Sequence, residues 1–180
     1  MPLINDTGFV ADAWVRVGVD EALPKADSII VPFARLKEAL TASIKRLGIH
    51  VPNTIHPVEL VPYFNQLTLI SVDFPSFADG RGFSIARTIR NAGFKGELRA
   101  FGPLIADQYA YARSCGFNTI EVPDEIAARQ SEAQWKDANE SLSLSYQRSY
   151  VHGVNILDQR RSSSQSVLLP LREKLARSDG

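Results

Sequence analysis

Apolar and polar positions in this chain follow two rhythms, and the switches between them mark its elements. Between residues 69 and 122, three short apolar runs are separated by two helical patterns. Residues 69–74 (Leu-Ile-Ser-Val-Asp-Phe) form an uninterrupted, β-branched run stopped by Pro75, the mark of a buried parallel strand. Phe83, Ile85, Ala86 and Ile89 then recur at helical spacing up to Asn91. Ser84 can cap that helix, and Gly93 fits the left-handed position beyond its end. Residues 97–101 read as a second strand. Residues 103–115 read as a helix with proline in its first turn and Gly116 past its end. A third strand at 119–122 is closed by Pro123. Strand, helix, strand, helix, strand predicts right-handed crossovers and a parallel sheet.

The same rhythm begins earlier. Residues 1–12 are short and polar and read as a flexible N-terminus. The alternation Ala13-Trp14-Val15-Arg16-Val17 predicts a half-buried edge strand, and residues 28–32 a further apolar run. Phe33, Leu36, Leu40, Ile44 and Leu47 predict one helix ended by Gly48, before a short strand at 49–51 and a helical turn at 57–64. After Pro123 a helix is expected over 124–140, then serine–leucine alternation at 141–147. The organisation predicted is a single α/β domain over 13–147, its parallel sheet built from short βα units as an open three-layer or partial-barrel-like fold. A polar tail over 148–180 follows, with a short amphipathic helix at 167–177.

Composition narrows the function classes. The chain has 180 residues, with 20 basic and 20 acidic side chains, so it carries no net charge. That balance argues against electrostatic capture of nucleic acid or a membrane. No segment approaches the length of a membrane span, and the N-terminus lacks a secretion pattern, so a cytoplasmic location is expected. Cys115 is the sole cysteine, and His50, His56 and His152 show no zinc spacing, so no metal site is predicted.

In parallel α/β sheets, ligands bind at the carboxyl ends of the strands. The richest such place is Asp79-Gly80-Arg81-Gly82-Phe83-Ser84. It is either a tight turn, with Asp79 accepting backbone N–H groups and Ser84 capping, or an anion loop. In the second case Arg81 would fork onto a phosphate, sulfate or carboxylate at a helix N-terminus, with Arg99 as a second cation. Ile85 stands where a dinucleotide fingerprint needs its third glycine. Asp73, Glu97, Gly102, Asp107 and Gln108 are further polar candidates near strand ends. Asp73 is expected to pair with Arg81 or Arg99. Glu97 and Arg99 share a strand face, which is either a solvated edge or a polar barrel interior. No catalytic residue and no cofactor follows from these positions.

Three blocks nevertheless carry a resemblance. Residues 74–87 (FPSFADGRGFSIAR), 96–102 (GELRAFG) and Asp107-Gln108 with Cys115-Gly116-Phe117 resemble the motifs of the bacterial domain of unknown function 934, and Tyr146-Gln147 resembles its closing pair. Pro103 stands where the family commonly has aspartate, and Ser114 where it commonly has arginine. The resemblance implies a sulfur-assimilation setting, because members are associated with sulfite reduction as oxidoreductases and their genes lie beside those for sulfite reductase. It implies an accessory or oxidoreductase-associated protein of sulfite or sulfate reduction. The alternatives are a non-catalytic module docking on sulfite reductase or another sulfur-assimilation enzyme, and a small-anion sensor.

Overall fold

A computed structural model describes residues 1–42 and 44–138; the expected serine–leucine strand, polar tail and terminal helix lie outside the described residues. Eight strands form one sheet in the order β2-β1-β8-β7-β6-β5-β4-β3. They are β1 (Leu3–Asn5), β2 (Gly8–Val10), β3 (Val15–Arg16), β4 (Ser28–Pro32), β5 (Arg46–Val51), β6 (Leu69–Asp73), β7 (Glu97–Phe101) and β8 (Thr119–Glu121). From β3 to β8 every neighbouring pair is parallel and follows chain order. The sheet is not purely parallel, however, because β1 runs antiparallel to both β2 and β8. Residues 1–12 therefore hold a hairpin rather than only a loose end. Its turn is stabilised by Asn5 Oδ1, which accepts the Thr7 N–H at 2.8 Å, and by Gly8 at φ +114°.

The helices are α1 (Leu36–Thr41), α2 (Arg81–Asn91), α3 (Tyr109–Cys115) and α4 (Asp124–Arg129). Three boundaries differ from the sequence pattern for identifiable reasons. The helix expected through Leu47 stops at Thr41, because Leu47 pairs with Ile29 inside the sheet and strand burial overrides the helical period. Residues 103–105 are not helical: Gly102 turns at φ +136° and its carbonyl accepts the Leu104 N–H at 2.8 Å. The helix expected over 124–140 is interrupted at Gln130 (φ −120°, ψ 112°), whose side-chain carbonyl accepts the Ala106 N–H. Residues 132–138 are helical again.

The sheet is strongly curled, as chain connectivity requires. Seven strand spacings, about 34 Å, separate β2 from β3 in a flat sheet. Residues 11–14 must bridge that gap, and an extended chain from Val10 to Val15 spans about 17 Å at most. Likewise Arg16 of β3 bonds Glu121 of β8 at 2.6 Å, although five spacings, about 24 Å, separate those strands along the sheet. The result is a curled half-barrel wall. Its outer face, including Ile29, Ile49, Ile70, Leu98 and Ile120, is fully buried in the main hydrophobic core. Residues 11–14 cross its inner face.

Candidate functional site

On the inner face, one residue along each strand, an apolar cluster of Trp14, Ile30 and Leu69 lies beside a chain of polar side chains. Arg99 of β7 is 1% exposed and sits among three carboxylates. It donates to Asp12 at 2.6 Å, to Glu97 at 3.2 Å and to Glu121 at 3.2 Å. Burial opposes the Arg99 charge, but the Asp12 hydrogen bond and the carboxylates around it outweigh burial and raise its pKa. Glu121 is shared with Arg16, whose Nε and Nη2 both reach it. Arg16 Nη2 also donates to Ser71 Oγ at 2.9 Å, and Ser71 Oγ lies 3.2 Å from His50 Nδ1. Having accepted from Arg16, Ser71 keeps one proton and one lone pair, so either tautomer of a neutral His50 imidazole can bond it through Nδ1. Burial first, and Arg16 second, lower the His50 pKa to about 4, in keeping with that neutral form.

The polar chain ends at the carboxyl-terminal mouth of the half-barrel. There Phe101 forms the wall, with the Arg16 guanidinium 4.2 Å above its ring and the His50 ring edge-on at 5.0 Å. Asp73 closes β6 directly beside Phe101. Burial raises its pKa, with Arg16 acting in the opposite direction. Asp73 pairs with neither Arg81 nor Arg99, contrary to expectation: among the described residues its carboxylate meets the Phe74 backbone N–H and the field of Arg16, and makes no ion pair.

The loop carrying Asp79 and Arg81 lies at the same end of the sheet but outside the wall. Arg81 begins α2, and Asp79 grips it: Asp79 accepts the Arg81 backbone N–H at 3.2 Å and the guanidinium Nη2 at 2.6 Å. Asn53, after β5, adds a third hydrogen bond to Asp79 at 2.7 Å. The Arg81 guanidinium first, and then its backbone N–H, hold the Asp79 carboxyl well below the usual carboxylate range. Asp79, one residue before the N-cap, thus accepts the first helical N–H, and Ser84, expected to cap, lies inside the helix. Gly80 is the N-cap at φ −80°. Gly82 is required by packing, since a Cβ there would lie 2.4 Å from the Phe74 ring. Arg81 and Ser84, with Thr54 and His56, line a cleft of about 430 Å³ between the residues after β5 and the start of α2.

Arg99 does not join Arg81 in that cleft, because the curl turns it to the inner wall. Glu97 lies on the same wall and also accepts from Thr119 at 2.7 Å, so the polar-interior alternative for the Glu97–Arg99 pair holds. Gly102 packs its backbone on Phe74, where a Cβ would fall 2.1 Å from the Phe74 carbonyl oxygen. Gln108 donates to the Phe77 carbonyl at 2.8 Å and so pins the loop after β6, whereas Asp107 is exposed. Sequence reasoning passed over Arg16, His50, Ser71, Glu121 and Asp12. The available signal was period two: each of the first four is a polar residue between apolar neighbours in a strand. Among the described residues no cluster of His, Cys, Asp and Glu could hold a metal, and no helix is long and apolar enough to cross a membrane.

No match was found among curated proteins. A family described as bacterial protein of unknown function (DUF934) matches residues 48–156, more than half of the chain. That span contains His50, Ser71, Asp73, Arg99, Phe101, Glu121 and the Asp79–Ser84 loop, while Asp12 and Arg16 precede it. The chain therefore belongs to the bacterial family of unknown function DUF934.

Proposed function

We propose that this protein is a cytoplasmic accessory of assimilatory sulfite or sulfate reduction that holds a small oxyanion at the carboxyl end of its sheet. The pathway rests on the family resemblance. The site rests on one observation: Asp79 fixes one edge of the Arg81 guanidinium and leaves Nη1 without a partner among the described residues, in a cleft that also holds Ser84, Thr54 and His56. Such a fixed arginine edge with hydroxyls nearby suits a tetrahedral or trigonal oxyanion. Asp79 cancels most of the Arg81 charge, so the site is expected to favour weak, exchangeable binding over tight capture.

A second reading, a non-catalytic docking module, is favoured by Phe77. This ring is 59% exposed on a loop braced by Gln108 and by Ser76, which accepts the Ala78 N–H. A rigidly presented aromatic side chain is a common interface anchor.

Two experiments separate these readings. Sulfate, sulfite or phosphate should raise the melting temperature of the wild type but not of Arg81→Ala. The absence of any shift in the wild type removes the oxyanion site and leaves the docking module. A deletion strain should grow on sulfide but fail on sulfate and sulfite. Growth on all three sulfur sources removes the pathway.

A further inference from the structure

The Arg81 cleft is larger, and less polar, than a bare inorganic ion requires. Its volume of about 430 Å³ falls among those of small-molecule sites, whereas sulfate or phosphate has only five non-hydrogen atoms. Its lining has two parts: Arg81 and Ser84 are polar, and Ile55, Pro57 and Ile85 present hydrocarbon. The apolar part is held by the fold itself. Ile85 belongs to the buried face of α2, Ile55 packs against the main core, and Pro57 opens the helical turn Pro57–Glu59.

Electrostatics call for a second source of affinity. The Asp79 carboxylate already occupies Arg81 Nε and Nη2, so an oxyanion at Nη1 gains a directed hydrogen bond but little net attraction. A doubly charged ion gives up the most hydration for that small gain, and a singly charged one gives up less. A bare ion also leaves the Ile55, Pro57 and Ile85 side of the cleft in water. An apolar body attached to the headgroup covers that side and adds hydrophobic burial to a weak polar contact.

We infer that the Arg81 cleft takes a small organic oxyanion: a singly charged tetrahedral headgroup held by Arg81 Nη1 and Ser84, borne on an apolar body of about one ring that lies on Ile55, Pro57 and Ile85. This inference rests on the oxyanion reading of the cleft and names the class of molecule that carries the oxyanion.

The test uses the full chain and three probes: sulfate, methanesulfonate and benzenesulfonate. The two sulfonates share one headgroup and one charge, so the difference between them isolates the apolar body. Binding is followed in NMR titrations by the His56 ring signals and the methyl signals of Ile55 and Ile85, all in the cleft. Benzenesulfonate should bind at least ~10-fold more tightly than methanesulfonate, and Arg81→Ala should weaken it by at least ~10-fold. Ile55→Thr should shrink the advantage of benzenesulfonate by at least ~3-fold, the effect of losing one apolar contact. Sulfate and methanesulfonate that bind through Arg81, with no gain for benzenesulfonate, overturn this inference and leave the oxyanion site standing. An Arg81→Ala protein that binds benzenesulfonate like the wild type also overturns it, as does an Ile55→Thr protein that keeps the full advantage. No saturable response to any of the three probes removes the oxyanion site and this inference together. If Ile55→Thr does not fold, the two sulfonates compared on the wild type and on Arg81→Ala decide.

Discussion

On the outer face of the sheet, Ile49, Ile70, Leu98 and Ile120 are fully buried against helices and loops. One residue further along the same strands, His50, Ser71, Arg99 and Glu121 face inward, and three of these four are also buried. The outer wall is held by area: each side chain contributes on its own, and a lost methylene costs a bounded amount. The inner wall is held by pairing. Arg99 satisfies Asp12, Glu97 and Glu121 together, so removing one member strands several others. The outer wall therefore supports the fold, whereas the inner wall orders particular groups at the mouth.

The sharpest way to break this comparison is Arg99→Met, which keeps the volume and removes the charge. It should cost about 3–5 kcal/mol in urea unfolding, because three carboxylates lose their shared partner. Leu98→Ala, one position away on the outer wall, should cost about 2–5 kcal/mol from cavity formation alone. The two are told apart by coupling. Asp12→Ala should destabilise the wild type but cost clearly less in the Arg99→Met background, and it should simply add to Leu98→Ala. Equal costs in all three backgrounds would mean that the inner wall is not cooperative.

A second effect comes from pH. His50 has its folded pKa lowered to about 4 from an ordinary 6.5, so between those values the unfolded chain binds a proton that the folded chain refuses. Stability should therefore fall as pH drops from about 6.5 to about 4, by on the order of 3 kcal/mol. Asp73, with its raised folded pKa, works the other way: its contribution is present at low pH and fades as pH rises through the folded value, so it blunts the slope. His50→Gln should flatten the curve in a series of denaturant titrations. An unchanged slope would show that the imidazole is not held neutral.

Smaller again is Gly102→Ala, which places a Cβ against the Phe74 carbonyl and forces φ +136° on a residue with a side chain. A loss of about 1–3 kcal/mol is expected from strain at that turn. The smallest change belongs to Arg81→Ala, outside both walls. Its pair with Asp79 is exposed, so the thermal midpoint without added anion should stay near that of the wild type.

The β6-α2-β7-α3-β8 segment was legible in the sequence because its signals are local. Continuous apolar runs give buried strands, and Gly116, left-handed at φ +105°, ends α3 as expected. The hairpin of β1 and β2 was not, since strands of three residues carry too few positions to show a period. Residues 44–47 were ambiguous for a related reason: Ile44 and Leu47 fit a helical stripe as well as a strand start, and only pairing with β4 decides between them. The candidate site divides the same way. Asp79, Arg81 and Ser84 are neighbours in the chain and were found together. Arg16, His50, Ser71 and Glu121 span more than a hundred positions and meet only because the sheet curls, so no spacing rule gathers them.

If the inner wall is ordered as the hydrogen bonds place it, the His50 imidazole carries that order in a form that nitrogen-detected NMR reads directly. The wild type should show a neutral ring held in a single tautomer, titrating at about 4, and Ser71→Ala should move both the tautomer balance and the titration point. A ring that titrates near 6.5 with mixed tautomers, unchanged by Ser71→Ala, would contradict the ordered inner wall.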